Sequence, residues 1–434
     1  MVNLSELKAM FRAAGAVRLY AKPLAENDNS KNQVYFGTGF GSLNILPNRG
    51  IEASADATKS IFVAGLDFAW LAEDGSAVTA PHAKMILYPQ YPEVRFSGFL
   101  KGCATAPSAF MAGRMRGRVL FLGVTAARRI LGFAAGPGSA VVNEIEGTDI
   151  LRTEGVFSVL PLDERAGPAD PRDLLLAELG RIHRAGWIES KQLGTDGRLR
   201  PCRAPQCGGF TLEAELNIPK NSFAEPDFLG WEVKQHAVPA FGSPGGAITL
   251  MTPEPTGGFY KREGVEAFIR AYGYPDKRGV RDRWNFGGIH RVGHRHSTTG
   301  LRMELAGYDR ERGKLADATG SLALVDATGN VAAEWAFSGL LSHWSRKHSK
   351  AVYVPSMRRT APEWQYAYGP RIRLAEETDP LRLLAGLACG AVYYDPGIKL
   401  EEASTRPHVK RRSQFRIASK EIGVLYARLE TVDL

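Results

Sequence analysis

The chain has 434 residues, 44% hydrophobic and 23% charged, which suits a folded globular protein of two or three domains. No run approaches the ~18 uninterrupted apolar residues of a membrane span, the N-terminus lacks the apolar core of a signal peptide, and four cysteines are too few for a disulfide framework. The formal net charge of +9 favours a polyanionic partner, nucleic acid or an anionic membrane surface, and the sequence taken whole predicts a cytoplasmic protein with reduced thiols and no membrane association.

Residues 1–163 read as mostly β. Residues 17–21, 32–36, 84–88, 94–98 and 118–124 are short apolar or alternating runs separated by turn residues. A barrel or sandwich is the predicted class, because closure removes exposed sheet edges. Lys22, Asn27 and Asp28 lie between the first two runs, and Asn32 and Gln33 open the second. Their side chains offer bidentate partners for adenine edges and a cation for phosphate. Arg95 and Lys101 lie on a second candidate arm, residues 91–101. Ordinary polar hairpin ends would use the same residue types.

Residues 164–172, rich in Pro, Gly and charge, predict a linker to a second domain, 173–434. Asp170 as N-cap followed by Pro171 opens a helix expected to carry Leu174, Leu175, Leu179 and Ile182 and to stop near Gly186. Cys202 and Cys207 follow in a Pro- and Gly-rich loop. No second Cys/His pair stands at finger-like spacing, so two ordinary thiols are predicted rather than a zinc site.

Thr211 is placed to cap a short helix with Leu212 and Leu216 on one face, flanked by Glu213 and by Glu215, which reads as solvated. Then comes Asp227-Phe-Leu-Gly-Trp-Glu232-Val-Lys234. On an extended strand Glu232 and Lys234 share one face while Trp231 and Val233 take the other. Asp227 has the wrong parity for that face unless Gly230 allows a bend. Two carboxylates so placed would hold Mg²⁺ on a phosphate, with the lysine beside the attacking water. An acid-x-lysine triplet also occurs on solvated strand faces.

His236 would share the Lys234 face, as a core or phosphate-contact residue. His290, and His294 with His296 on a strand face, read as phosphate contacts among interleaved arginines. Residues 344–350 suit the basic end of an amphipathic helix. The most basic segment, residues 406–420, holds no acid between Glu402 and Glu421. Arginine offers bidentate contact to guanine and glutamine to adenine, and Asp395 and Lys399 on the preceding loop are suited to cytosine and guanine.

From Gly208 to Gln235 the chain resembles the MvaI/BcnI family of restriction endonucleases. It is similar, more distantly, to the MutH mismatch-repair nickase, which shares the Leu-Glu-x-x-Leu helix followed by Asp…Glu-x-Lys. Both lie in the PD-(D/E)xK superfamily. The likeness continues through His343-Trp344, Val392-Tyr-Tyr-Asp395-Pro-Gly-Ile-Lys399 and Lys410-Arg-Arg-Ser-Gln-Phe-Arg416. It implies an α/β nuclease domain with a central mixed sheet and Glu213, Asp227, Glu232 and Lys234 as catalytic residues. Asp227 and Glu232 would hold Mg²⁺, and Asn221-Ser222 would form the loop before them. It also implies a monomer acting on double-stranded DNA, base readout by the C-terminal segment with His408, Lys410, Arg411, Arg412 and Arg416 as the candidate contacts, and a cognate methyltransferase in the same system.

Lys22 through Phe36 resembles the opening of the effector domain of EcoRII-type restriction enzymes, a DNA-binding pseudobarrel, with Asn32-Gln33 where His-Gln is usual. Together the two resemblances imply a type II restriction endonuclease for a CCWGG-like site whose N-terminal domain binds a second copy of the DNA. The alternatives are a MutH-like repair nickase, a modification-dependent nuclease, and a DNA-binding protein without catalysis.

Overall fold

The computed structural model describes residues 2–26, 32–56, 58–147, 152–162, 170–219 and 226–434. Asn27, Asp28, Asn221, Ser222 and most of the expected linker lie outside these. The chain divides into two compact units, Met1–Ala169 and Asp170–Leu434. No helix among the described residues is long and apolar enough to cross a membrane.

Among its described residues the first unit is mostly β. A seven-stranded sheet runs in the order Thr153–Glu154, Phe157–Leu160, Ala16–Leu24, Arg118–Thr125, Ile130–Ala135, Phe68–Leu71, Ala77–Thr79. A five-stranded sheet runs Val34–Thr38, Glu93–Ser97, Lys84–Tyr88, Phe62–Gly65, Ile51–Ala53. Aromatic side chains join the two: Phe36 meets Phe157 edge-on at 5.0 Å, and Phe96 lies 5.1 Å from Phe68. The helices Leu4–Ala13 and Ala140–Glu146 bury Leu7, Phe11, Val141, Val142 and Ile145 in a core with Leu19, Phe121 and Leu131 from the larger sheet.

In the second unit, Asp170 caps the helix Pro171–Arg184 by accepting from Arg172 N at 2.9 Å. Leu175, Leu179 and Ile182 are buried, but Leu174 points outward at 41% exposure. The central sheet is mixed. Glu232–Ala237 runs parallel to Lys350–Arg359, which pairs antiparallel with Gln365–Tyr368 and Arg371–Thr378. Val233, Val352 and Val354 from this sheet and Trp231 just before it share a core with Leu212 from the helix Cys207–Glu215 and Leu216 at its C-cap. Full burial of an aliphatic side chain contributes about 1.5–3 kcal/mol, so this layer can carry the cost of charge placed on the opposite face.

Several local expectations change. Cys202 and Cys207 form a disulfide, not two free thiols; Cys103 and Cys389 are the free cysteines. The chain turns at Ala204, whose carbonyl accepts from Cys207 N, and brings the two Cα atoms to 5.8 Å, within bonding range. The helix begins at Cys207, so Thr211 lies inside it, and its hydroxyl bonds both the N–H and the carbonyl of Lys191 instead of capping. Glu215 is not solvated: it pairs with Lys191 at 2.6 Å and Arg181 at 3.2 Å. His294 and His296 sit in a loop with isolated bridges rather than on a strand.

Candidate active site

Three local elements deliver the acidic residues. The helix Cys207–Glu215 presents Glu213. Its first turn docks closely, because a Cβ on Gly208 would meet Gln235 and Tyr366 at 3.0 Å and Tyr368 Oη donates to the Gly208 carbonyl at 2.7 Å. The turn Phe228–Trp231 is closed by Phe228 N to Trp231 O at 2.9 Å and Trp231 N to Phe228 O at 2.8 Å. Both central residues have positive φ, +46° at Leu229 and +90° at Gly230. This tight reversal, made possible by Gly230, overcomes the parity problem of Asp227. The Asp227 carboxylate folds back to accept from Val233 N at 3.1 Å. Glu232 and Lys234 then follow on the strand Glu232–Ala237.

The four side chains line one cavity of about 140 Å³, with Phe210, Ile218, Pro219, Val233 and Lys347. Glu232 is 1% exposed. Its Oε1 accepts from Lys234 Nζ at 2.5 Å and lies 3.7 Å from Lys347 Nζ, whereas Oε2 is buried and meets no donor among the described residues. Burial and the negative charge of Asp227 push the Glu213 carboxyl up to about 7. Burial and Glu232 push Asp227 up to about 6. Burial opposes ionisation of Glu232, but the ammonium groups of Lys234 and Lys347 outweigh it and hold this carboxyl below its ordinary value. Burial likewise works against the Lys234 ammonium, yet Glu232 and Asp227 hold it above its ordinary value.

No group of three His, Cys, Asp or Glu side chains among the described residues converges into a ready-made metal cage. The donor set nonetheless suits a hard cation. It is made of carboxylate oxygens, two of the carboxyls are pushed up by burial and by a neighbouring carboxylate, and the buried Glu232 Oε2 meets no donor among the described residues.

The other expected site residues are scattered. His290 is not placed to contact DNA: it is 1% exposed, and its ring nitrogens meet the Gly288 carbonyl and Thr299 Oγ1. His236 is a buried core residue whose pKa burial drives down to about 4. His294 is exposed. Asp395 is engaged by Arg416 at 2.7 Å, so these two partly neutralise each other. Lys399 lies on the strand Gly397–Glu401, not on a loop, opposite Lys410, which pairs with Glu401 at 2.6 Å. His408, Arg411 and Arg412 are exposed.

In the first unit, Gln33 donates to Tyr88 Oη at 3.3 Å, and Arg95 forks onto Glu93 at 3.0 and 3.3 Å above the Tyr35 ring. Arg95 therefore sits on the five-stranded sheet and Gln33 just before its strand Val34–Thr38. Asn32 is exposed with φ +48°, and Lys101 is exposed in a turn. Lys22 belongs to the larger sheet, where its half-buried ammonium donates to the Pro23 carbonyl at 2.9 Å.

Two features escaped the sequence reading. Lys347 reaches the cavity from the end of the helix Phe337–Lys347. The turn after Tyr274–Pro275 exposes Lys277, Arg278 and Arg281, and is ordered by Asp276 through Arg278 N at 2.9 Å, Val280 N at 3.2 Å and Asn285 Nδ2 at 2.7 Å. Its signal was local: an Asp opening a Gly-containing turn among four cations. The strand Tyr274–Pro275 belongs to a four-stranded sheet, with Trp284–Gly287, Gly397–Glu401 and His408–Lys410, that also carries Lys399, His408 and Lys410.

The family model of the MvaI/BcnI restriction endonuclease family matches residues 176–426. No curated protein matches the chain. Among solved structures the chain is similar to the restriction endonuclease MvaI in complex with its cognate DNA substrate, at 19% identity and TM-score 0.45, over 60% of this chain and 98% of that one. It is also similar to MvaI in the absence of DNA, at 18% identity and TM-score 0.32, over 62% and 99% of the two chains.

Proposed function

The chain belongs to the MvaI/BcnI restriction endonuclease family, a family of site-specific DNA nucleases, and on that premise we propose that the cavity of Glu213, Asp227, Glu232 and Lys234 is a Mg²⁺-dependent phosphodiester-cleaving centre. The observation that carries this reading is the convergence of a helix, a tight turn and a strand on one small cavity that holds three carboxylates and a lysine. Asp227 and Glu232 would hold the metal, with Glu232 Oε2 the unclaimed oxygen. A bound divalent cation supplies Lewis-acid polarisation of the scissile phosphate and charge to balance the pentacovalent transition state. Lys234, kept protonated by Glu232, orients the attacking water or neutralises charge developing on the phosphate. Glu213, poised near neutrality, faces Asp227 and Lys234 from the helix and holds or releases a proton there.

Residues 173–434 form the nuclease domain in this proposal, and 1–163 an effector domain that binds a second copy of the DNA site. Lys399, His408, Lys410, Arg411 and Arg412, together with Lys277, Arg278 and Arg281, form the basic surface that meets the duplex. The enzyme acts as a monomer on a CCWGG-like site, protected in its host by a cognate methyltransferase.

Plasmid digestion with and without Mg²⁺, followed by run-off sequencing of the ends, tests the proposal, with Asp227→Ala as control. Discrete, Mg²⁺-dependent ends that the variant fails to produce are expected. Equal cutting by Asp227→Ala would refute the site. Ends at a sequence unrelated to CCWGG would refute the specificity alone.

A further inference from the structure

Lys347 is the last residue of the helix Phe337–Lys347, far in sequence from the other cavity residues. That helix is firmly seated: Phe337, Leu340, Leu341 and Trp344 are buried, and Trp344 Nε1 donates to Thr378 Oγ1 at 3.1 Å. A helix C-terminus favours a cation, and here the seated helix aims its terminal ammonium at the cavity rather than at bulk water. The side chain is only 22% exposed. It faces Glu232 Oε1 at 3.7 Å, outside hydrogen-bond range, while Lys234 already holds the same oxygen at 2.5 Å. One carboxylate oxygen therefore has two ammonium groups, and the second leaves its N–H donors for another acceptor. The cavity of about 140 Å³ has several waters' worth of room beside it.

We propose that Lys347 is a catalytic residue, a second cation of the site that contacts a non-bridging oxygen of the scissile phosphate while Lys234 serves the water. The proposal rests on the reading of this cavity as a phosphodiester-cleaving centre. Its rival is that Lys347 is only a fixed counter-charge for Glu232.

The test uses the full chain, EDTA to prevent cleavage, and a duplex carrying the cut site mapped with the parent protein. The duplex is made with either an ordinary phosphate or an uncharged methylphosphonate at the scissile position. The readout is the ratio of the two affinities, for the parent and for Lys347→Met. A charge-assisted contact predicts that this ratio falls roughly tenfold when Lys347 is replaced. The slope of log affinity against log salt should also lose about one phosphate contact's worth. Lys347→Arg, which keeps the charge, should retain the parent's ratio. Should Lys347→Met not fold, Lys347→Gln carries the same comparison. An unchanged ratio in the neutral variant shows that lysine and phosphate do not meet, and overturns the proposal while leaving the nuclease reading intact. Absence of cleavage by the parent overturns both.

Discussion

In Met1–Ala169 the most deeply buried charged side chain among the described residues is Arg118, 2% exposed, and in Asp170–Leu434 it is Glu232, 1% exposed. Arg118 gives each of its three nitrogens a main-chain carbonyl: Met115 at 2.6 Å, Phe110 at 2.6 Å and Ala25 at 2.9 Å. Glu232 has one oxygen crowded by two lysines and another that meets no donor. Burying a charge costs several kcal/mol unless its hydrogen-bonding capacity is met. The satisfied guanidinium therefore serves the fold, tying the start of one strand to the end of another. The half-satisfied carboxylate is the kind of local deficit that an active site tolerates and a purely structural position does not.

This contrast predicts a double dissociation. Glu232→Gln is expected to lower the single-turnover cleavage rate on the order of 10³-fold, the scale for removing a preorganised electrostatic group, and to cost less stability than the Arg118 variant, because the amide oxygen still accepts from Lys234 while the deficit at Oε2 is relieved. Arg118→Met should do the reverse. It strands three buried carbonyls and should cost about 3–5 kcal/mol, seen in chemical denaturation as an early transition confined by hydrogen exchange to Met1–Ala169. If the Arg118 variant unfolds no sooner than the parent, or the Glu232 variant is the less stable of the two, the contrast is wrong.

Acid should separate the units as well. Of nine histidines only His82 lies before residue 170. In the second unit burial holds His236 down to about 4, and His290 and His348 to about 3, from an ordinary 6.5. Such a group is neutral in the fold but takes a proton when unfolded, so its stabilising contribution is complete above the unfolded pKa of 6.5. That contribution is lost as pH falls towards the folded value. Glu213 and Asp227, raised to about 7 and about 6, act in the opposite sense, because the fold binds their protons first as pH drops. Their shifts are smaller in sum, leaving a net loss of about 2–3 kcal/mol near pH 5. Denaturant midpoints followed by segment-resolved hydrogen exchange between about pH 7 and 5 should show Asp170–Leu434 weakening with acid. The absence of such a decline would mean that the histidines protonate within the fold.

Residues 227–234 were legible because their logic is local. Strand parity, one glycine and two carboxylates within eight positions already describe a turn feeding a strand. The helix opened by Asp170-Pro171 was legible for the same reason, since a cap needs only its neighbours. Lys347 was not, because its place depends on how the helix Phe337–Lys347 packs against a sheet assembled from distant segments. Burial of His290 and the Asp395–Arg416 pairing also arise from tertiary packing, which a run of basic residues does not encode. The disulfide was not legible because four cysteines in so long a chain point to free thiols, and the Cys202/Cys207 spacing set only a zinc site against ordinary thiols, although five residues of separation permit the chain to close on itself.

The smallest expected effect tests the turn that brings Asp227 into the cavity. Leu229 holds φ +46°, which a side chain branched at Cγ adopts at a cost, and at 55% exposure it recovers little of that cost by packing. Asn tolerates this backbone region better because its short amide bonds locally. Leu229→Asn is therefore expected to raise stability by about 0.5 kcal/mol, read as a small upward shift of the thermal midpoint, with the cleavage rate unchanged. Gly230→Ala, at φ +90°, should lower stability by about 1 kcal/mol, even though a Cβ there would meet nothing within 4 Å. Opposite signs from adjacent residues of one turn would show that backbone conformation, not packing, sets the approach of Asp227 to its strand. Equal losses at both would instead assign the turn's stability to the Leu229 side chain.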